Sequence, residues 1–495
     1  MVSPMLDFGP FLPLNISMIC SVLKEAGYEV ELFDTTFYRN PKPEDLDDIM
    51  VEIGTFKPVN WDGYRMDDLR DDPVSDFKQK VKQFKPDFIG LSIFTTFNAK
   101  FSLSLIDAID DDFQGKVIVG GMHTFVKLDE IQKNSKISAV INGECEDVLI
   151  SALEFLSESN SNEVCTIPNF HYRNLSGEWS TSHKTAISNV EYMPFVNWDF
   201  FDDRNFYRPF DGKILRIGHV EIARGCPFRC TYCINEYFHK EYPNSKPYQH
   251  EETQGYWRLK SVERFLEEIS YLKNRYKLEA IKIWDDDFLA MNVKTLTGVS
   301  TGLKKMGLKF LCHSRPEHVS VEKVKIIADG GCIQIGIGVE SGNPKYRREM
   351  LGRSMTDDQI VTAFKNCRDY GIISSAYCMI GMPDETREDI LMTAQLLRKA
   401  NPHVIVHAIF TPYPGNTLYD YAQGKGYIDQ NINFEDYLKC FLNMPSISTK
   451  EVEELFRSFH FYCRLDDEYY PEIQKGQNNL KNLERLVPLI QNVNA

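Results

Sequence analysis

No stretch of about 18 or more apolar residues occurs in the 495-residue sequence, so no membrane-spanning helix is expected. A secretory signal is missing as well: Met1-Val2-Ser3-Pro4 opens neither a basic n-region nor a long apolar h-region. Basic charge is in short supply. There are 56 Lys and Arg against 71 Asp and Glu, a formal charge of −15, which argues against a broad phosphate-binding surface and a duplex nucleic-acid substrate. Cysteine is not scarce, but a disulfide framework is not expected. Nine of the twelve stand singly (Cys20, Cys145, Cys165, Cys312, Cys332, Cys367, Cys378, Cys440 and Cys463), as buried small apolar residues do in a reducing compartment. A cytoplasmic location is expected.

The length suits about two to four domains. Over residues 1–155 strands alternate with helices. Val2-Ser3-Pro4 reads as the end of a strand that looks cut short, and Glu29–Asp34, Pro86–Ile93, Lys116–Val119 and Ala139–Asn142 read as further strands. Helices are expected over Asn15–Ala26, Val74–Phe84, Ala99–Ile109 and Glu146–Leu156. This alternation predicts a doubly wound parallel sheet, whose ligands sit beyond the carboxyl ends of the strands. Residues 156–217 form a connector in which Pro168–Asn174 reads as a short strand entering a turn. Residues 218–425 alternate again, with six strands at His219–Ala223, Ala280–Trp284, Lys309–Cys312, Ile333–Val339, Ser374–Ile380 and Val404–Phe410. Helices between them predict a partial (β/α)6 barrel with its chemistry at the C-terminal strand ends. Residues 426–495 form a mostly helical tail in which Ser448-Thr449-Lys450-Glu451 reads as a capping box.

One loop concentrates chemistry. Ala223-Arg224-Gly225-Cys226-Pro227-Phe228-Arg229-Cys230-Thr231-Tyr232-Cys233 carries three cysteines in eight residues, directly after the first barrel strand. Thiolates suit iron–sulfur clusters, and three of them on a four-iron cubane leave one iron open to an outside ligand. A partial zinc site, or cysteines that merely lie close, are the alternatives, but no second Cys pair or Cys/His couple at finger spacing follows.

The CxxxCxxC spacing with an aromatic before the last cysteine resembles the signature of radical S-adenosylmethionine (SAM) enzymes. Asp285-Asp286-Asp287-Phe288, Glu340-Ser341-Gly342-Asn343, Gly381-Met382-Pro383-Asp384-Glu385-Thr386 and Tyr413-Pro414-Gly415-Asn416-Thr417 resemble strand-end motifs of the cobalamin-dependent class of that family. In residues 1–155, Gly90-Leu91-Ser92, Gly120-Gly121-Met122-His123 and Gly143-Glu144-Cys145-Glu146 resemble the cobalamin-binding domain that precedes many such enzymes.

The resemblance implies a [4Fe–4S] cluster on Cys226, Cys230 and Cys233, SAM on its open iron, and reductive cleavage of SAM to a 5′-deoxyadenosyl radical. Within it Asp286 is expected to take the SAM ammonium, Arg315 its carboxylate, and Glu340 the ribose hydroxyls or Arg315. Tyr232 is expected beside the adenine, with Ser341 near the same strand end. Ser92, Gly120, Gly121 and Gly143 are expected to line the cobalamin pocket. The Asp-x-His-x-x-Gly motif that supplies a lower cobalt ligand in many cobalamin proteins is absent, and the corresponding loop reads Thr95-Thr96-Phe97-Asn98-Ala99. His123 is either a replacement ligand or an ordinary structural histidine. The implied activity is methylation of an unactivated carbon of a small-molecule substrate, with a flavodoxin- or ferredoxin-type electron donor. A cobalamin-using oxidative cyclase or ring-rearranging enzyme is the first alternative, and a non-catalytic cobalamin or SAM sensor the second.

Overall fold

The computed structural model describes residues 1–5, 10–39, 51, 57–158, 165–182, 185–242, 256–428 and 438–494. The chain divides into two compact units, Met1–Pro41 with Trp61–Arg208 and Glu241–Arg258, and Lys42–Asn60 with Pro209–Lys240 and Leu259–Ala495.

The first unit is built on β1 (Val2–Ser3), β2 (Phe33–Asp34), β3 (Phe88–Ser92), β4 (Lys116–Gly120), β5 (Ala139–Ile141), β6 (Phe170–Arg173) and β7 (Trp179–Thr181), in the spatial order β2-β1-β3-β4-β5-β6-β7. β1 to β5 pair in parallel, and β6 and β7 extend the sheet antiparallel. Apolar residues on both faces of the central strands explain the double winding, since a parallel sheet is buried on both sides. Ile89, Leu91, Val117 and Val119 pack with Phe77, Leu105 and Ile106, while Ile118, Ala139 and Ile141 pack with Leu23, Ala152 and Leu153. Of the strand expected over Glu29–Asp34 only Phe33–Asp34 pairs, because its partner β1 offers two residues. The connector supplies a hairpin of this sheet through β6 and β7.

The second unit carries β8 (Tyr207–Phe210), β9 (Lys213–Val220), β10 (Ala223–Arg224), β11 (Arg258–Leu259), β12 (Ala280–Ile283), β13 (Lys309–Ser314), β14 (Cys332–Glu340), β15 (Ile373–Ile380) and β16 (Val404–Ile409). Its sheet runs β16-β15-β14-β13-β12-β9-β8, and β9 and β12 to β16 pair in parallel as a curled half-barrel. β10 and β11 form a separate ribbon. Helices Val262–Tyr276, Val293–Met306, Val321–Asp329, Asp357–Asp369 and Arg387–Ala400 alternate with the strands. Each opens on a Ser, Asn or Thr whose side chain accepts an N–H of the first turn. One face of the sheet, including Ile281, Ile283, Phe310, Ile335, Ile337, Ala376 and Ile380, is fully buried.

The tail helix Thr449–Arg464 packs on β16 and on Arg387–Ala400. Its expected capping box is only half made. Ser448 accepts the Glu451 N–H, whereas the Glu451 carboxylate is drawn to Arg387 at 2.9 Å. Among the described residues no helix is long and apolar enough to cross a membrane.

Candidate active site

The expected strand His219–Ala223 is interrupted. β9 stops at Val220, and the chain turns at Ile222 because the buried Asp285, just after β12, captures the N–H groups of Ile222 and Ala223. Its Oδ1 accepts N–H bonds from Ile222 (2.9 Å) and Ala223 (3.1 Å). Burial pushes the Asp285 carboxyl up to about 8. The chain then enters the cysteine loop through Gly225.

Within the loop Cys226 and Cys230 are buried and Cys233 is partly exposed. Turn bonds from Cys233 N–H to Cys230 O and from Glu236 N–H to Cys233 O, both 3.0 Å, wind the loop into helix Ile234–Glu241. His239 Nε2 donates to the Cys226 carbonyl at 2.8 Å. Thr231 sews the loop to a second segment: its N–H reaches Leu351 O at 3.3 Å and its hydroxyl donates to Met350 O. Burial, with Asp286 adding to it, raises the Cys226 and Cys233 thiols, the latter to about 12. A thiol so raised ionises only when a metal or cation compensates its charge. Among the described residues no three His, Cys, Asp or Glu side chains converge on one ion position. A cubane does not require that, since each cysteine binds a different iron.

The other expected residues gather at this edge with roles the spacing could not reveal. Asn235 Nδ2 donates to Asp286 Oδ2 (3.0 Å) and lies 3.5 Å from Cys233 Sγ. Desolvation by the surrounding protein lifts Asp286 to about 6, against the pull of that hydrogen bond, although the residue itself is exposed. Asp287 is structural, accepting from Ser314 Oγ (2.7 Å) and meeting His318 Nδ1 (2.8 Å). Arg315 is committed: Nε and Nη2 go to Glu317 (2.7 and 2.6 Å), Nη1 to Cys230 Sγ (3.0 Å), and its face lies 3.8 Å over the Phe228 ring. Glu340 stands where the register of β14 on β15 shifts, with φ of 68°, a bulge that re-aims its side chain. It is half-buried, its carboxyl raised by desolvation, and it faces Tyr232 and Arg353. Ser341 is a turn residue whose Oγ accepts the Asn343 N–H at 3.3 Å.

Two features escaped the sequence. Arg353 is buried, donates Nη1 to Tyr232 Oη (3.1 Å) and Nη2 to Gly338 O (2.5 Å), and stands 3.8 Å from Cys230 Sγ. It lies 120 residues beyond the triad in a loop without strand periodicity. The second is a row of rings on the other face of the sheet. His219, Trp284, His313 and Tyr377 contact in sequence at 5.5, 5.6 and 5.8 Å, and Trp284 is 37% exposed. Alternation within each strand could have found them singly, but only the parallel register aligns them.

In the first unit the strand ends meet as expected: Ile93 N–H donates to Gly120 O (2.8 Å) and Thr124 Oγ1 to Asn142 Oδ1 (3.2 Å). Ser92 Oγ accepts from Asn15 Nδ2 at 3.0 Å. Gly121, with φ of 99°, presses on Ile93, where a Cβ would stand 2.5 Å from the carbonyl oxygen. A Cβ on Gly143 would stand 2.6 Å from Asn169, while one on Gly120 would meet only an ordinary contact. His123 is buried, its Nδ1 3.2 Å from Thr96 Oγ1 and its Nε2 without a hydrogen-bond partner among the described residues. Burial lowers it to about 4, so it is neutral at pH 7.

Residues 220–397 match the family model of the Radical SAM superfamily. An uncharacterised methyltransferase of Pyrococcus horikoshii is 28% identical over 81% of this chain and 84% of its own. The cytidylyl-2-hydroxyethylphosphonate methyltransferase of Streptomyces wedmorensis is 22% identical over 94% and 89%. Among solved structures, the cobalamin-dependent radical enzyme OxsB, with aqua-cobalamin and SAM bound, aligns at TM-score 0.65 and 16% identity over 98% of this chain and 70% of that one. The radical SAM methyltransferase TsrM of Kitasatospora setae, with cobalamin and a [4Fe–4S] cluster bound, aligns at 0.61 and 15% over 86% and 74%. Residues 220–397 therefore match the Radical SAM superfamily, and the chain has the fold of these cobalamin-dependent radical SAM enzymes.

Proposed function

We propose that this enzyme is a cobalamin-dependent radical SAM methyltransferase that methylates an unactivated carbon of a small molecule. The observation that carries the reading is the three-thiol loop at the carboxyl edge of a half-barrel, ringed by Asp286, Glu340 and Tyr232. Methyltransferases among the relatives of near-full coverage support it. The donor set fits a cluster: beside Cys230 the buried Arg353 Nε has no acceptor among the described residues, and cluster sulfides are acceptors. When bound, the cluster and SAM supply a one-electron cleavage that yields a carbon radical, and cobalamin supplies a methyl carrier.

The chain's own residues do the rest. Asp286, held by Asn235, is the anion for the SAM ammonium. Glu340, re-aimed by the bulge, is the acceptor for ribose hydroxyls. The cobalamin site is the carboxyl edge of the first sheet, with Ser92, Gly120, Gly121, Gly143 and the orphaned His123 Nε2 around it. An external flavodoxin- or ferredoxin-type donor supplies the electron. A reducing cytoplasm accords with twelve cysteines of which none forms a disulfide among the described residues.

The test is anaerobic purification with cobalamin and cluster reconstitution, followed by assay with SAM and dithionite. Bound cobalamin, four irons, and 5′-deoxyadenosine that Cys226→Ala abolishes are expected, with S-adenosylhomocysteine accompanying turnover. Deoxyadenosine without S-adenosylhomocysteine would instead favour a cyclase, an activity carried by the anaerobic magnesium-protoporphyrin IX monomethyl ester cyclase of Rubrivivax gelatinosus, 21% identical over 74% of this chain. A cluster without bound cobalamin would overturn the first-unit assignment.

A further inference from the structure

Two buried arginines at the triad converge on one of its three sulfurs. Arg315 Nη1 is 3.0 Å from Cys230 Sγ and Arg353 Nη1 is 3.8 Å from it. Neither guanidinium is there by looseness. Arg315 is fixed by Glu317 and stacked on Phe228. Arg353 is fixed at its backbone, whose N–H donates to Arg347 O at 2.8 Å, and at its tip by Gly338 O and Tyr232 Oη. The segment that carries Arg353 is tied to the cysteine loop through Thr231, the residue after Cys230. Among the described residues no guanidinium is hydrogen-bonded to Cys226 or Cys233 Sγ. The ring of His239 is bonded to the Cys226 carbonyl instead, and the Asn235–Asp286 pair stands at Cys233.

We propose that Arg315 and Arg353 form a two-guanidinium clamp on the Cys230 thiolate that raises the midpoint potential of the cluster this loop carries. The inference rests on the cluster assignment made above. An added electron makes the cluster more negative. Fixed positive charge and N–H···S bonds at a buried ligand therefore stabilise the reduced form over the oxidised one. Both guanidiniums are consumed in this way, so Arg315 is a positioning residue for the cluster rather than the partner of the SAM carboxylate.

The test is a potentiometric titration of the reconstituted full-length protein, read by the EPR signal of the reduced cluster, after iron and sulfide analysis. Arg353→Gln is expected to lower the reduced-to-oxidised ratio at a fixed potential about tenfold, equivalent to about 59 mV for one electron. Arg315→Gln is expected to lower it further, because it also leaves the Glu317 charge unpaired, and Arg315→Gln with Glu317→Gln should recover part of that loss. A merely structural role would not produce this recovery. Ratios within twofold of the parent in both single variants, at full iron and sulfide content, overturn the clamp. Should a variant fail to hold its cluster, the parent protein decides: with 15N-labelled arginine, pulsed EPR of the reduced cluster is expected to show a nitrogen hyperfine coupling, and its absence overturns the clamp. A parent protein that assembles no four-iron cluster overturns the cluster assignment itself.

Discussion

Replacing Asp285 separates what this carboxyl does by shape from what it does by charge. Its Oδ1 holds the N–H groups of Ile222 and Ala223 at 2.9 and 3.1 Å, and its Oδ2 is buried without a hydrogen-bond partner among the described residues. Asp285→Ala strips two buried donors of their acceptor, at about 1–3 kcal/mol each, so a loss of about 2–6 kcal/mol is expected. Asp285→Asn keeps the accepting oxygen and mimics the protonated acid, so below about pH 4, where folded and unfolded parent both hold the proton, its effect should stay below about 1 kcal/mol. The pH dependence is sharper. Burial raises the folded-state value to about 8, against about 3.9 for an unfolded aspartate. Between those values the folded protein holds a proton that the unfolded chain has released. Stability therefore falls as pH rises through that window, by up to about 1.4 kcal/mol per unit. Below about pH 4 both states are protonated and the slope vanishes. Urea denaturation of parent and Asp285→Asn at a series of pH values, followed by tryptophan fluorescence, measures the difference. The asparagine variant should gain on the parent steadily from about pH 5 to 8. A difference flat with pH, or an alanine variant as stable as the asparagine one, would refute the reasoning.

The same physics gives three further outcomes. Glu385, buried and raised to about 8, accepts the Met382 N–H at 3.1 Å and should behave alike: Glu385→Gln is expected to flatten the fall in stability over the same pH window, as measured by denaturation. Gly121→Ala drives a Cβ into the Ile93 carbonyl at a positive φ, with an expected loss of about 2–4 kcal/mol, read as a lower melting temperature and weaker cobalamin retention. Arg347 is fully buried, donates to Ser341 O at 2.8 Å and pairs with Asp357. Arg347→Met should cost about 1–3 kcal/mol, chiefly by stripping the buried Ser341 carbonyl of its donor, and raise the SAM concentration needed for half-maximal deoxyadenosine formation, because it frees the turn after Glu340.

The alternation of apolar strands and capped helices was legible because each element is short, local and amphipathic or wholly apolar. Helices such as Arg387–Ala400 and Val293–Met306 fall where Thr386, Asn292 and the periodicity put them. The triad was legible because its chemistry lies within eight consecutive residues. Less was legible where one segment depends on another. The break in the strand after Val220 is made by Asp285, some 60 residues on, and the two-residue β2 by the brevity of β1. The second half of the expected box at Ser448 was lost to Arg387, 64 residues away.

By itself, then, the sequence determined the type and order of elements, the doubly wound sheet and the half-barrel, and the three thiols with their strand-end neighbours. Those follow from local periodicity and from short spacings that hold in any environment. Only the tertiary structure decided which acids are buried and raised, that Arg315 and Arg353 meet at one sulfur, that a bulge turns Glu340, and that four rings line one face. Those depend on desolvation and on distances between residues far apart in the chain, which spacing along the sequence does not encode.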